Sequence, residues 1–325
     1  MATAKALMER AYRIRIVSRS GRLPAQAAAL LGLRPELLDE NVESRAADMT
    51  EPAQAIEASE GAAAIFHCAN PRYDPWPELL PNMQRALIDA AIAQGAVLAA
   101  SEPLYVYAAG AVTISENTPI DPPTRKGAVR LAVFRLLEEA TASRGLRWVT
   151  VRASDYYGPG AEGQSAFGSE RFIGPLLSGR RISFLGSPDR LHSFTYLRDF
   201  GRALALASTK PEAWGRTWIA PTAPILSIGD FASLFVDHIE AEARKHGFTR
   251  PLRRDFGVVP RSALRLIGLF DPVVREVDEM LYQWRNDYRV DGSAFTRRFG
   301  IEPTDVESGM AETAAAHFTL NPRRQ

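Results

Sequence analysis

Four short apolar runs alternate with helical segments in the first half of the chain, and this alternation constrains the fold more than any other feature. Buried strands of a parallel sheet are continuous apolar runs without polar alternation. The alternation of predicted strands and helices at this spacing predicts βαβ units. We therefore expect an α/β, Rossmann-like fold with helices on both faces of a parallel sheet and a ligand site at the carboxyl ends of its strands. The predicted strands are 13–17, 62–67, 96–100 and 148–152, and the clearest helices are 80–94 and 127–143.

Beyond residue 155 the loops become longer and richer in glycine and proline. This change predicts two domains. Residues 1–155 would form the sheet domain, and residues 156–325 would mainly form a smaller substrate-binding lobe, with some segments returning to the sheet. Further helices are expected at 227–245 and 271–285 and after Thr304.

Composition excludes several classes of protein. The 325 residues include 39 basic and 38 acidic side chains, and no basic patch that would favour nucleic acid. No apolar run is long enough to span a membrane. A single cysteine and five scattered histidines argue against a disulfide framework and against a metal site, so the sequence favours a cytoplasmic protein with a small-molecule substrate.

A turn rich in cations and hydroxyls follows the first strand. In a dinucleotide-binding fold this position contacts the ribose of the adenosine, where an acidic residue binds a free 2′-hydroxyl and arginine favours a 2′-phosphate. The turn therefore predicts a nicotinamide cofactor, with NADP slightly favoured over NAD. Solvated loop cations are an alternative of similar weight. The residues are Ser18, Arg19, Ser20 and Arg22.

Residues 44–52 predict a further short strand that ends at Asp48. In dinucleotide folds an acidic and an apolar residue at this position, here Asp48 and Met49, flank the adenine. The alternative is that Asp48 and Thr50 cap the following helix.

Cys68, Ala69 and Asn70 form a turn after the strand at 62–67. Small residues there would let a cofactor approach the backbone. Alternatively, they only avoid steric crowding where the strand passes into the loop. No partner that would activate the Cys68 thiol is identifiable, so an inert thiol is the preferred interpretation.

A series of sequence blocks, in order and over nearly the whole chain, resembles the extended short-chain dehydrogenase/reductases of the NAD-dependent epimerase/dehydratase group. The resemblance implies a Rossmann domain, a substrate lobe, bound NAD or NADP, and hydride transfer on a carbonyl or alcohol carbon of a small polar substrate such as a nucleotide sugar. It also implies, by analogy, a homodimer. The blocks are VSRSGR, AADM, IFHCAN, NMQRALIDAAIAQGA, LYVYAAG, VRASDYYGPG, HSFTYLRDFGRALALA and RRFGIEPT.

The opening strand and glycine-rich turn of that family have no counterpart in this sequence. Residues 1–10 resemble the remainder of the helix that follows the turn. Since those glycines let the pyrophosphate reach the helix N-terminus, we expect impaired pyrophosphate binding. The family's first strand lies mid-sheet, so its absence would leave a gap between two strands. A start codon placed too late or a genuine truncation would explain this.

The family's catalytic pattern is also altered. It uses a tyrosine, a lysine four residues later, and a serine or threonine on the preceding strand. The lysine orients the ribose and lowers the tyrosine pKa, and the tyrosine exchanges a proton with substrate. Lys126 matches the lysine, but Pro122 occupies the tyrosine position, and Pro103, with Ser101 nearby, occupies the hydroxyl position. The candidate substitutes as proton donors are Tyr105, Tyr107 and Tyr157.

Arg152, Tyr156 and Tyr157 resemble the segment that passes beside the nicotinamide and opens the substrate site. Hydroxyl-bearing rings suit a polar substrate, although a rigid turn with packing aromatics is an equal alternative. Arg275 could bind an anionic group, or it could pair with Glu279 one helical turn later.

Two functions therefore remain open. The leading hypothesis is an NAD(P)-dependent epimerase, dehydratase or reductase with a degenerate site. The alternative is a catalytically silent dinucleotide-binding or protein-interaction module, which the prolines at the catalytic positions favour.

Overall fold

The structure is a computed structural model that describes residues 1–321 apart from Arg72, Asp74, Ala111, Gly163 and Gln164. The chain divides into two compact units, each built from three segments. Unit 1 comprises Met1–Ala108, Pro119–Ala153 and Phe200–Ala220. Unit 2 comprises Ala109–Thr118, Ser154–Asp199 and Pro221–Gln325.

Helices and strands alternate through the described chain. The strands are β1 Ile14–Ser18, β2 Val42–Ala46, β3 Ala64–His67, β4 Val97–Pro103, β5 Arg147–Ala153, β6 Tyr156–Tyr157, β7 Ser183–Phe184, β8 Leu191–His192, β9 Thr195–Tyr196, β10 Arg216–Ile219, β11 Leu226–Ser227 and β12 Gly257–Val258. The helices are α1 Ala2–Met8, α2 Ala27–Leu31, α3 Leu38–Asn41, α4 Pro52–Ala58, α5 Trp76–Gln94, α6 Arg125–Arg144, α7 Gly174–Leu177, α8 Leu197–Ser208, α9 Ile228–Lys245, α10 Arg261–Gly268, α11 Pro272–Val277, α12 Tyr282–Arg285, α13 Ser293–Phe299 and α14 Val306–Leu320.

Unit 1 confirms the predicted α/β fold. Its main sheet is parallel, with strand order β10-β5-β4-β3, and it contains three of the four predicted strands. The first predicted strand, β1, instead forms a separate parallel pair with β2. Phe66 of β3 packs in one apolar cluster with Ile14 of β1 and Val42 of β2. Among the described strands none hydrogen-bonds between the pair and the main sheet.

The two long helices of unit 1 pack on the main sheet. Leu87 of α5 and Phe134 of α6 share an apolar cluster with Leu98 of β4 and Trp148 of β5. Each helix ends at a glycine with positive φ, 60° at Gly95 and 67° at Gly145, as expected for a left-handed C-terminal cap.

Unit 2 is organised around a cluster of phenylalanines. Phe167 lies at its centre, and five other phenylalanine rings lie within 4.7–6.2 Å of its ring centroid. Helices α9 and α14 pack against each other beside this core. No helix in the described part of the chain is long and apolar enough to cross a membrane.

One local prediction for this part of the chain was wrong. The helix expected at 271–285 is interrupted, because a 3₁₀ turn at Asp278–Met280 separates α11 from α12. Asp199 lies inside the first turn of α8, which begins at Leu197. Its carboxylate accepts hydrogen bonds from the backbone N–H and hydroxyl of Thr304, at 2.6 and 2.8 Å.

Candidate functional site

The carboxyl ends of β4 and β5 bring a group of polar side chains together in unit 1. Glu102 and Arg152 are partners in the β4–β5 register, so their side chains project from the same face of the sheet. Ser101 precedes Glu102, and its hydroxyl donates to the carbonyl oxygen of His67 at the end of β3, at 3.2 Å. Since ligands of parallel sheets bind beyond this edge, it is the candidate site of unit 1.

The start of α6 lies very close to the segment that follows β4. Thr124 caps the helix by accepting a hydrogen bond from the Gly127 N–H at 3.0 Å. A Cβ atom at Gly127 would lie 2.3 Å from the carbonyl oxygen of Tyr105 and 2.8 Å from Cβ of Pro122. Only glycine therefore allows this approach, which holds Lys126 in a buried position, 3% exposed.

Aromatic rings and cations surround Lys126. Its Nζ lies 5.0 Å from the ring centroid of Tyr73, and the Tyr73 hydroxyl lies 3.1 Å from that of Tyr105. Trp76 packs edge-on against Tyr73 at 4.9 Å, and the Arg130 guanidinium lies 4.2 Å from the Trp76 ring centroid. We call these five residues the aromatic–cation cluster. The sequence analysis missed Tyr73 and Trp76, for which the aromatic-rich loop NPRYDPW was the available signal.

A buried ion pair joins Arg130 of this cluster to Glu102 of β4. Arg130 Nη1 lies 3.3 Å from Glu102 Oε1, and both side chains are less than 5% exposed. Arg130 Nη2 also donates to Asn70 Oδ1 at 2.8 Å. The predicted cofactor residue Asn70 is therefore held by a cation one helical turn beyond Lys126.

Arg152 and Tyr107 form a second buried pair. The guanidinium is 1% exposed, donates from Nη1 to the Tyr107 hydroxyl at 2.9 Å, and lies 4.9 Å from the Phe134 ring centroid. Its Nε and Nη2 atoms have no hydrogen-bond partner among the residues that the structure describes. Tyr107, at 2% exposed, is thus enclosed with a cation inside unit 1.

The turns after β1 and β2 adjoin each other. The carbonyl oxygen of Ser18 accepts hydrogen bonds from Gly21 and from Ala47, both at 3.1 Å. Within this turn Arg22 N–H donates to the Ser20 hydroxyl at 3.3 Å. Arg19 is exposed and has no hydrogen bond or ion pair with the described residues.

Asp48 lies in the adjoining turn, followed by Met49, and both are half-buried. The backbone N–H and the hydroxyl of Thr50 donate to the Asp48 carboxylate at 2.9 and 2.7 Å. These bonds lower the pKa of Asp48, and the charge of Arg19 adds a smaller effect. The N-cap of α4 is Glu51, so Asp48 and Thr50 form a turn before the helix and do not cap it.

Cys68 and Ala69 are exposed residues of the turn after β3. Although Cys68 as a whole is exposed, its thiol is closely surrounded by protein, and this desolvation raises its pKa, which opposes a nucleophilic role. The neighbouring His67 is buried, and its Nδ1 lies 2.8 Å from Gln84 Oε1. Burial lowers the pKa of His67. No group of three or more potential metal ligands occurs among the described residues.

Unit 2 holds the remaining predicted site residues. Tyr157 is fully buried, packs against the Phe231 ring at 5.0 Å, and has a hydroxyl without a hydrogen-bond partner. Desolvation, followed by the nearby charge of Asp199, raises the pKa of Tyr157 far above its ordinary value. Tyr156 is half-buried in β6, and Arg275 is exposed on α11.

Unit 2 also contains a histidine–carboxylate pair that the sequence analysis did not identify. His192 Nε2 lies 3.0 Å from Asp155 Oδ2, and the imidazole stacks against the rings of Phe194 and Trp284, at centroid distances of 4.6 and 4.7 Å. The two partners are 37 residues apart in the sequence, so no local pattern links them.

Comparisons with known proteins agree on one class of relatives. The model of the NAD dependent epimerase/dehydratase family matches residues 1–219. No curated protein sequence matches the chain. Among solved structures, the chain is similar to a double mutant of DesIV, the dTDP-glucose 4,6-dehydratase of Streptomyces venezuelae, solved with NAD bound. That match has a TM-score of 0.74 at 16% identity and covers 98% of this chain and 94% of that one.

Two epimerase structures are also similar. The UDP-glucose 4-epimerase of Thermotoga maritima, solved with UDP-glucose, has a TM-score of 0.71 at 15% identity, with 98% of this chain and 95% of that chain covered. The UDP-glucuronic acid 4-epimerase of Bacillus cereus, solved with NAD, has a TM-score of 0.71 at 16% identity, with 98% and 94% covered. At such identities the likeness describes the fold.

Proposed function

This chain belongs to the NAD-dependent epimerase/dehydratase family, and on that premise we propose that it binds NAD or NADP on unit 1 and acts by hydride transfer. The substrate would be a small polar molecule with a carbonyl or alcohol carbon, and nucleotide sugars are the first class to test. The observation that carries the proposal is the buried side chain of Lys126, whose Nζ lies 5.0 Å from the Tyr73 ring centroid, with the Tyr73 hydroxyl 3.1 Å from that of Tyr105.

The residues at this edge fit a nicotinamide dinucleotide. The exposed guanidinium of Arg19, which makes no hydrogen bond to the described residues, is suited to a phosphate near the adenosine, with Ser18, Asp48 and Met49 in the adjoining turns. Cys68 and Ala69 would leave room beside the cofactor, and Lys126 would orient the nicotinamide ribose. When bound, the cofactor supplies or accepts a hydride.

The direct test is hydride exchange. Purified protein is incubated with NADH or NADPH and a panel of aldehydes, ketones and nucleotide 4-keto sugars, and with NAD or NADP and the corresponding alcohols. Cofactor binding is measured separately by calorimetry. Binding together with turnover of at least one substrate class is the expected result, and absence of binding would contradict the proposal.

Arg19→Ala should weaken NADP binding by roughly tenfold or more and leave NAD binding almost unchanged, because a hydrogen bond to a charged group is worth about 1.5–3 kcal/mol. Arg34→Ala is a matched control, since Arg34 is an exposed arginine of the same unit outside these turns. Equal losses for both cofactors would show that Arg19 does not bind the 2′-phosphate.

Lys126→Ala should raise the dissociation constant of either cofactor by roughly tenfold, because the ribose would lose a charged hydrogen-bond donor. Arg125→Ala removes the exposed cation one residue earlier and serves as the control. Unaltered affinity in the Lys126 variant would assign this lysine a purely structural role.

A silent dinucleotide-binding or protein-interaction module is the second candidate. Pro122 and Pro103 at the family's catalytic positions favour it, because neither side chain can donate a proton. Bound cofactor without turnover across the whole panel would support this alternative.

A further inference from the structure

We propose that Tyr73 is the proton donor and acceptor of this site. It would take the role of the family's catalytic tyrosine, whose position in this chain is occupied by Pro122. This inference rests on the proposed hydride-transfer function. It adds to that function a residue from a different part of the chain, the loop between β3 and α5, which the family's catalytic pattern does not include.

The first argument is the position of Tyr73 relative to a cation. Lys126 Nζ lies 5.0 Å from the centroid of the Tyr73 ring, and Lys126 is buried, so water screens the interaction only weakly. An ammonium group beside a phenol favours the ionised form, because opposite charges attract more strongly than a charge and a neutral ring. The arrangement brings a tyrosine and a lysine together without the usual spacing of four residues.

The second argument is the hydrogen bond to Tyr105. The two phenol oxygens lie 3.1 Å apart, and either can be the donor. When Tyr105 donates, it stabilises negative charge on the Tyr73 oxygen, and the Tyr73 proton is directed elsewhere. The Trp76 ring packs nearly perpendicular to the Tyr73 ring and restricts the rotation of the Tyr73 side chain.

The third argument is that the other predicted phenols are less suitable. The Tyr107 hydroxyl accepts a hydrogen bond from Arg152 and is enclosed with it inside unit 1. Tyr157 is fully buried in the core of unit 2. Tyr73 and Tyr105 are only half-buried, and the Tyr73 ring centroid lies 5.0 Å from Lys126 Nζ.

The proton transfer can be written for reduction of a carbonyl. As the carbonyl carbon gains the hydride, the π electron pair moves to the substrate oxygen. The O–H bond of Tyr73 breaks, a new O–H bond forms on that oxygen, and the electron pair stays on the Tyr73 oxygen. Lys126 and the Tyr105 hydroxyl stabilise the phenolate until water returns a proton. Oxidation of an alcohol follows the same path in reverse.

The first experiment needs no turnover. Isotope-labelled ring carbons of the nine tyrosines are followed by NMR as the pH is raised, and the Tyr73 signal is assigned from its loss in Tyr73→Phe. The titration midpoint of Tyr73 should move to higher pH in Lys126→Met, where the cation is absent. An unmoved midpoint would overturn the inference, because Lys126 would then not stabilise the phenolate.

The second experiment compares turnover with cofactor binding. Tyr73→Phe should lower kcat by about 100-fold or more, the range of general acid–base catalysis, with unchanged cofactor affinity. Tyr12→Phe, at an exposed tyrosine elsewhere in unit 1, should retain native kcat. Native kcat in Tyr73→Phe would overturn the inference while the proposed function stands. A native protein that binds no cofactor, or that binds cofactor without any turnover, would instead contradict the proposed function.

Discussion

Phe167→Ala is expected to lower the free energy of unfolding of unit 2 by about 3–5 kcal/mol. Phe167 is fully buried, and its ring contacts those of Phe194 and Phe231 at centroid distances of 4.9 and 4.7 Å. The substitution removes most of a large apolar side chain from the centre of a packed cluster. The neighbouring rings could refill that space only by leaving their own contacts, so a cavity would remain.

Urea denaturation followed by tryptophan fluorescence measures this loss. Trp284, the only tryptophan of unit 2, belongs to the same apolar cluster and reports on it. Phe270→Ala is the matched control, because Phe270 is 86% exposed and its removal should change stability by no more than about 0.5 kcal/mol. Similar small shifts for both variants would mean that Phe167 is not central to the core.

Gly127→Ala should destabilise unit 1 by about 1–3 kcal/mol, the usual cost of forcing atoms into a filled space. The new methyl group would lie 2.3 Å from the Tyr105 carbonyl oxygen, which is backbone and cannot rotate away. Alanine gains about 1 kcal/mol in helix propensity over glycine, which offsets only part of this cost. Because Lys126 is the preceding residue, displacement of α6 should also weaken cofactor binding.

Thermal denaturation and calorimetric titration with NADPH would measure both effects. Gly229→Ala provides the comparison, since Gly229 lies in the first turn of α9 and the nearest atom to its new Cβ, Cβ of Pro188, would be 3.1 Å away. That variant should be nearly neutral. A Gly127 variant as stable as the Gly229 variant would show that α6 can move without cost.

Three strands of the main sheet of unit 1 could be predicted because they are apolar runs without polar alternation, and most residues of β4 and β5 are buried. The fourth strand, β10, was not predicted. β3, β4 and β5 follow the predicted runs to within a few residues. The segment at 271–285 has helical spacing throughout, yet it breaks at Asp278–Met280, where Asp278 pairs with Arg261 of α10 at 3.0 Å. This contact with a separate helix lies at the break, and the local pattern does not contain it.

The candidate site could be predicted only in part for the same reason. Lys126 was identified from its resemblance to a known pattern. Tyr73 lies 53 positions earlier in a loop without periodicity, and the pair Arg130–Glu102 joins residues 28 apart on different elements. Such partners meet only through the packing of α5 and α6 on the sheet. Helical or strand spacing carries no information about them.

The isolated pairing of β1 with β2 has a consequence for ligand binding. A two-stranded ribbon is marginally stable by itself, so its hydrogen bonds should open at a lower free-energy cost than those at the centre of the four-stranded sheet. Arg19 follows β1 directly, and Asp48 lies two residues beyond the end of β2. A dinucleotide held by both turns would brace the most easily frayed part of unit 1. Binding of the dinucleotide would then increase the local order of the β1–β2 pair. A substitution that destabilises this pair would lower the affinity for the dinucleotide without contacting it.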